Sequence, residues 1–172
     1  MIRRSLLLAV SLASAITLTI APQTLSAAET KAAVPAAPSK SLQRGKYLVM
    51  IAGCNDCHTP GYLMAHGKVP EADWLTGDSF GWRGPWGTTY PVNLRTYMQT
   101  MTEEEWLKRA STLEARPPMP WYVLRQMTKD DLRAIYRYTR SLGAGGKPAP
   151  AFVPPDKEPP PPYALFPSPP PK

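Results

Sequence analysis

Sulfur and imidazole are scarce in this chain. Its 172 residues include two cysteines and two histidines. Cys54 and Cys57 stand in one pentapeptide, so once they are committed to one chemistry no sulfur remains for a disulfide or a cluster. Long apolar runs are also few. Residues 5–20 form one, but it is too short and too rich in serine and threonine for a span of about 20 apolar residues. Basic clusters are missing too. The net charge is +7, yet the lysines and arginines are scattered and no nucleic-acid-binding motif accompanies them. That mild excess suits an acidic partner protein.

What is present centres on Cys54-Asn55-Asp56-Cys57-His58. This is the C-x-x-C-H pattern of covalent haem attachment. On one helical turn, each thiol can join one vinyl group of a porphyrin, and His58 lies beneath the ring with a nitrogen towards iron. Two other chemistries use paired cysteines. A structural zinc site wants four ligands, and adding His66 gives only a crowded set. A redox dithiol wants a βαβ setting, which the flanking sequence does not offer.

The ends carry their own signals. Met1-Ile2-Arg3-Arg4 is a basic lead, and Ser26-Ala27-Ala28 offers the small residues of a cleavage site. Residues 1–28 are therefore expected to be a secretion signal for the general export route to the periplasm, an uncleaved membrane anchor being the alternative. Removing Arg3 and Arg4 leaves +5 for the mature chain. Residues 29–40 read as an alanine- and proline-bearing linker, and 41–146 as a single domain. Twelve of the 22 prolines fall in residues 147–172. That tail is expected to be extended, without helix or strand. It is either a solvated spacer or a segment clipped to the domain through Phe152, Val153, Tyr163, Leu165 and Phe166.

Within the domain a first helix is expected from Ser41, its N-cap, to about Ala52, with Leu42, Leu48, Ile51 and Tyr47 on the packing side. Gly45 in that helix suggests a close helix crossing. Thr102 with Glu105 forms a capping box opening a helix to about Thr112, with Trp106, Leu107 and Ala110 as its apolar face. Thr128 opens a last helix to about Leu142, packing through Leu132, Ile135, Tyr136 and Tyr138. Residues 59–93 hold four prolines, six glycines and three tryptophans, with no period of 3.6 or 2. So long a loop fits a compact domain only where a large apolar group replaces regular structure.

Between the last two helices stands Pro117-Pro118-Met119-Pro120. Three prolines in four residues exclude a helix and stiffen the loop. A thioether held there is poorly placed as helical core and well placed as a ligand opposite histidine, a pairing that raises the reduction potential. His66 is the competing second ligand.

The order of elements, Cys54 to His58 followed 61 residues later by Met119, resembles the class I cytochromes c over residues 41–146. Gly45, Tyr47, Ile135 and Tyr138 resemble that family's crossing of terminal helices. The run from Gly84 to Leu94 is similar to a loop in cytochrome subunits of periplasmic dehydrogenases. The resemblance implies an all-α fold of three to four helices around one covalent haem c, with long irregular loops and a Pro-rich tail. It implies His58 and Met119 as axial ligands, thioethers from Cys54 and Cys57, and haem contacts from Asn93, Tyr90 and Trp86. The function implied is single-electron transfer between redox proteins, a donor dehydrogenase or a terminal oxidase, rather than enzymatic turnover. Any membrane association would be peripheral, through a partner. Two alternatives stay open: an electron-relay subunit of a larger dehydrogenase, and a ligand-binding or catalytic haem protein with an open sixth site.

Overall fold

The computed structural model describes residues 39–167. The expected signal segment, most of the linker and the end of the tail lie outside the described residues. In chain order these form α1 (Lys40–Ile51), α2 (Cys54–His58), a 3-10 turn (Glu71–Asp73), β1 (Gly81–Gly84), β2 (Gly87–Thr89), α3 (Leu94–Gln99), α4 (Glu103–Thr112), α5 (Trp121–Gln126), α6 (Lys129–Ser141) and β3 (Tyr163–Leu165). The all-α expectation is thus corrected. The described residues are mainly helical, with six helices rather than three or four, and they carry a three-stranded sheet.

Helix α1 is capped by Ser39, whose hydroxyl accepts the Leu42 N–H at 3.3 Å. Ser41 therefore lies inside the first turn, because the serine two residues earlier already reaches the third helical N–H. The buried stripe is Gly45, Leu48 and Val49, while Tyr47 and Ile51 are exposed. Gly45 explains the difference. A Cβ there would sit 2.1 Å from the Ala134 carbonyl oxygen and 2.6 Å from Tyr138 Cβ, so α6 crosses on bare backbone. Contact at that point turns positions 45, 48 and 49 inward and 47 and 51 outward.

Helix α6 buries Leu132, Ile135, Tyr136 and Tyr138, as its periodicity predicts. Thr128 caps its start, and Gly143, at φ +71°, ends it. Helix α4 carries the expected capping box between Thr102 and Glu105. It packs on α6 through Trp106, whose indole N–H donates to the Leu132 carbonyl at 2.8 Å. The short helices α3 and α5 were not expected. Asn93 caps α3 by accepting the Thr96 N–H at 3.0 Å. The buried Arg95 then spreads its guanidinium over the end of α6. It donates to the carbonyls of Gly143 and Ala72, each at 2.7 Å, and also to that of Leu142. Orphan carbonyls at a helix end and a buried cation satisfy each other there.

The sheet runs β2-β1-β3. Strands β1 and β2 form a hairpin around Pro85 and Trp86, and β3 pairs parallel to β1, with Trp82 opposite Ala164. On the far edge Thr88 N–H donates to Val153 O at 2.7 Å and Val153 N–H to Thr88 O at 3.1 Å. The tail therefore covers both edges of the hairpin, which would otherwise present unpaired backbone. Arg83 holds the intervening loop, with Nη1 on Lys157 O at 2.7 Å and Nη2 on Glu158 Oε2 at 3.0 Å. Phe166 stacks at tilted angles on Trp82 and Trp86. Among the described residues the tail is clipped to the domain and contains a strand, against the expectation of none.

Candidate functional site

The chain enters the motif through Gly53, at φ +69°, where α1 turns directly into α2. That left-handed backbone is one glycine adopts without steric cost. Along α2, Cys54 and Cys57 stand three residues apart and so share a face. Both are half-buried free thiols. Burial pushes the Cys54 thiol up to about 11. Burial also raises Cys57, with the carboxylates of Asp56 and Asp78 adding to it. A redox dithiol works through a lowered thiol pKa, and this environment does the opposite.

His58 is buried, at 7% exposure. Its Nδ1 lies 2.7 Å from the Val92 carbonyl oxygen. A carbonyl can only accept, so Nδ1 carries the proton and Nε2 is the bare nitrogen. Burial lowers the ring's pKa, against a smaller opposing effect of the Val92 carbonyl, and the imidazole is held neutral. Among the described residues Nε2 has no hydrogen-bond partner. The surrounding backbone is fixed from two sides. Gly77 N–H donates to His58 O at 2.8 Å. Thr59 Oγ1 donates to Asn55 Oδ1 at 2.7 Å and accepts the Leu75 N–H at 2.8 Å.

The zinc alternative finds no support in the arrangement. Among the described residues no group of three or more His, Cys, Asp or Glu side chains is placed to hold a metal ion. His66 is exposed, at φ +50°, outside the packed core.

Met119 lies half-buried in the segment between α4 and α5, packed against the core. Its N–H donates to Arg116 O at 3.3 Å, and its carbonyl accepts the Trp121 N–H at 2.9 Å. The Pro117–Pro118 peptide is cis. Other methionines are placed differently. Met98 is fully buried in α3, Met101 and Met127 pack on the core, and Met50 and Met64 are exposed.

No family model, curated protein or solved structure matches the chain. The chemistry of the site is accordingly read from its own donors. Of the three candidate contacts, Asn93 is buried and committed: it caps α3, and its Nδ2 donates to Gly145 O at 2.7 Å and Lys147 O at 3.3 Å. Tyr90 is buried with no partner for its hydroxyl. Trp86 packs on Phe166 of the tail, and its indole N–H is buried and unpaired. Six buried side-chain polar atoms lack partners among the described residues, and four of them belong to Trp86, Thr88, Thr89 and Tyr90. Val92, whose carbonyl holds His58, follows two residues later. Sequence reasoning missed that carbonyl, since a backbone acceptor leaves no trace in residue type. It also missed the link from Arg116 to Phe152, for which the only signal was an arginine beside the proline run.

Proposed function

We propose that this chain is an exported one-electron carrier of the class I cytochrome c kind, with one haem c on Cys54 and Cys57 and iron bound by His58 and Met119. The observation that carries the reading is His58. A neutral, buried imidazole with Nδ1–H tied to a carbonyl and Nε2 unpaired is the usual preparation of a histidine for a metal. It stands next to two uncharged, half-buried thiols on the same turn.

When bound, the haem would supply a one-electron iron couple, whose potential a methionine ligand beside the histidine ligand would raise. The chain's own residues do the rest. The Val92 carbonyl fixes the tautomer and ring orientation of His58 and increases its basicity. The turn from Arg116 to Met119 presents a thioether from a half-buried position, where water competes poorly. Trp86 N–H and Tyr90 O–H offer donors to the carboxylates on the edge of a haem. Exposed apolar side chains, Ile51 before the motif, Leu63 and Met64 after it, and Val92 beside His58, give apolar surface around the same segment. With iron held by His58 and Met119, the protein would serve to pass electrons between redox proteins in the periplasm rather than to turn over a substrate. No helix among the described residues is long and apolar enough to cross a membrane.

Intact-mass measurement on denatured material tests attachment: the expected mass is the chain plus one haem. Met119→Ala tests ligation. The variant should bind carbon monoxide, which the parent should not, and its potential should fall. His66→Ala should change neither. A mass without haem, or carbon monoxide binding governed by His66 instead, overturns the reading.

A further inference from the structure

The tail passes both ends of the proposed iron-binding machinery. Its beginning is held by Asn93, whose Nδ2 donates to Gly145 O and Lys147 O, beside the Val92 carbonyl that orients His58. Its next fixed point is Val153, paired to Thr88 in the hairpin. Immediately before that pair, the ring of Phe152 lies beneath the Arg116 guanidinium, 3.9 Å from its centroid. Among the described residues Arg116 pairs with no carboxylate, and its guanidinium lies over this ring. Its carbonyl, meanwhile, closes the turn by accepting the Met119 N–H at 3.3 Å. One residue thus grips the tail with its side chain and Met119 with its backbone. Gly87 makes the close passage feasible. At φ +99° it has no Cβ, and one placed there would stand 2.5 Å from Val153 O and 2.8 Å from Phe152 Cζ.

We propose that residues 145–153 are a strap that holds Met119 on iron, with Arg116 and Phe152 as its positioning residues. The proposal rests on the ligation set out above. Where the turn from Arg116 to Met119 shifts as a unit, it carries Arg116 against the Phe152 ring, and the strap is anchored on either side of that ring. Loss of a methionine ligand then involves parting a cation from an aromatic face as well as breaking the iron–sulfur bond. At a partly exposed site such a contact corresponds to about a two- to five-fold change in an equilibrium or rate.

The test uses the full-length ferric haem protein with added imidazole, following the rate at which the sixth ligand is replaced. An iron–sulfur bond breaks and an iron–nitrogen bond forms, with no electron transferred. Phe152→Leu keeps an apolar body and removes the π face, and Arg116→Gln removes the cation. Each should speed replacement about two- to five-fold. The double variant should be no faster than either single, because both remove the same contact. Hydrogen exchange at the Met119 amide should quicken in step. Rates equal to the parent's, effects that multiply in the double variant, or a lower melting temperature with unchanged replacement each overturn the strap. Met119→Ala separates the two proposals. If it binds imidazole freely while the strap variants match the parent, only the strap falls. If it binds imidazole no faster than the parent, the ligation falls and takes the strap with it.

Discussion

The crossing of α1 on α6 is the contact most open to a decisive perturbation, and Gly45→Ala is the smallest change that reaches it. An added Cβ would meet the Ala134 carbonyl oxygen at 2.1 Å and Tyr138 Cβ at 2.6 Å. Ordinary contact distances are about 3.5 Å, so the helices must part by roughly 1 Å. The obstacle is backbone, which no rotamer change relieves. Overpacking of this kind costs about 1–3 kcal/mol, and a rigid neighbour argues for the upper part of that range. Alanine recovers about 1 kcal/mol through its better helix propensity. The net expectation is a loss of about 1–2 kcal/mol. With 4–8 °C per kcal/mol for a domain near this size, the melting temperature should fall by roughly 5–15 °C.

Thermal and denaturant unfolding of the protein measure this directly, with the midpoint moving and the denaturant slope unchanged. Tyr47→Ala is the comparison, because the family resemblance puts Tyr47 in the crossing while the structure leaves it 50% exposed. It should change stability by no more than about 0.5 kcal/mol. A Gly45→Ala variant as stable as the parent, or a large loss from Tyr47→Ala, would refute the geometry of the crossing.

Two further expectations follow from buried and paired charges. Arg95→Met leaves the carbonyls of Gly143, Ala72 and Leu142 without their donor. At about 1–3 kcal/mol for each buried unsatisfied group, with helix-end carbonyls at the low end, denaturant unfolding should show a loss near 3 kcal/mol. Arg95→Lys should restore less than half, since a compact ammonium cannot span carbonyls that Arg95 reaches from three separate nitrogens; full rescue would refute the account. As to pH, Glu71 is held below its ordinary pKa by Lys46, Glu103 by Arg137 and Asp131 by Arg44. Carboxylates with lowered folded pKa values stabilise above the unfolded values and lose that contribution as pH falls through the folded ones. The contribution of these three carboxylates to the melting temperature should be complete above about pH 5 and decline below about 4. Glu103→Gln should soften the decline, and an unchanged slope in that variant would count against its role.

The parts of the fold that were legible in sequence are those set by local chemistry. Thr102 with Glu105, and Thr128 at the head of α6, announce helices because a hydroxyl three residues before a free N–H has few other uses. The expected cap of α1, Ser41, is displaced by Ser39 for the same reason: both are serines within reach of a first turn. Helices α3 and α5, six residues each, are too short for a period to declare itself. The hairpin hid among glycines and tryptophans, although Gly84-Pro85-Trp86-Gly87 is turn chemistry between two extended residues. Strand β3 was concealed by prolines, which an edge strand tolerates. Its partner lies some eighty positions earlier, and no local pattern reports a parallel pairing at that distance. At the site, residue types declared Cys54, Cys57 and His58. The Val92 carbonyl and the Arg116–Phe152 contact exist only once the chain is folded.

The distribution of unpaired polar atoms adds a physical demand near His58. A buried donor or acceptor without a partner costs about 1–3 kcal/mol, and folded proteins keep few of them. Among the described residues four of six fall between Trp86 and Tyr90, in the segment that leads to the Val92 carbonyl. One planar ligand cannot meet them all, because neighbouring residues of an extended run such as Thr88 and Thr89 point to opposite faces. Long side chains such as Trp86 and Tyr90 can nevertheless converge on one acceptor, and their N–H and O–H groups both lack one. A haem presents carboxylates at one edge, so binding it beside His58 would offset part of this cost while the Val92 carbonyl keeps Nε2 free for iron. The residues that orient the ligand and the residues that still need acceptors are therefore neighbours in one short run. If the proposed haem takes these donors, Trp86→Phe and Tyr90→Phe should lower the melting temperature less in the haem-free chain than in the loaded one, and equal losses in both would count against that contact.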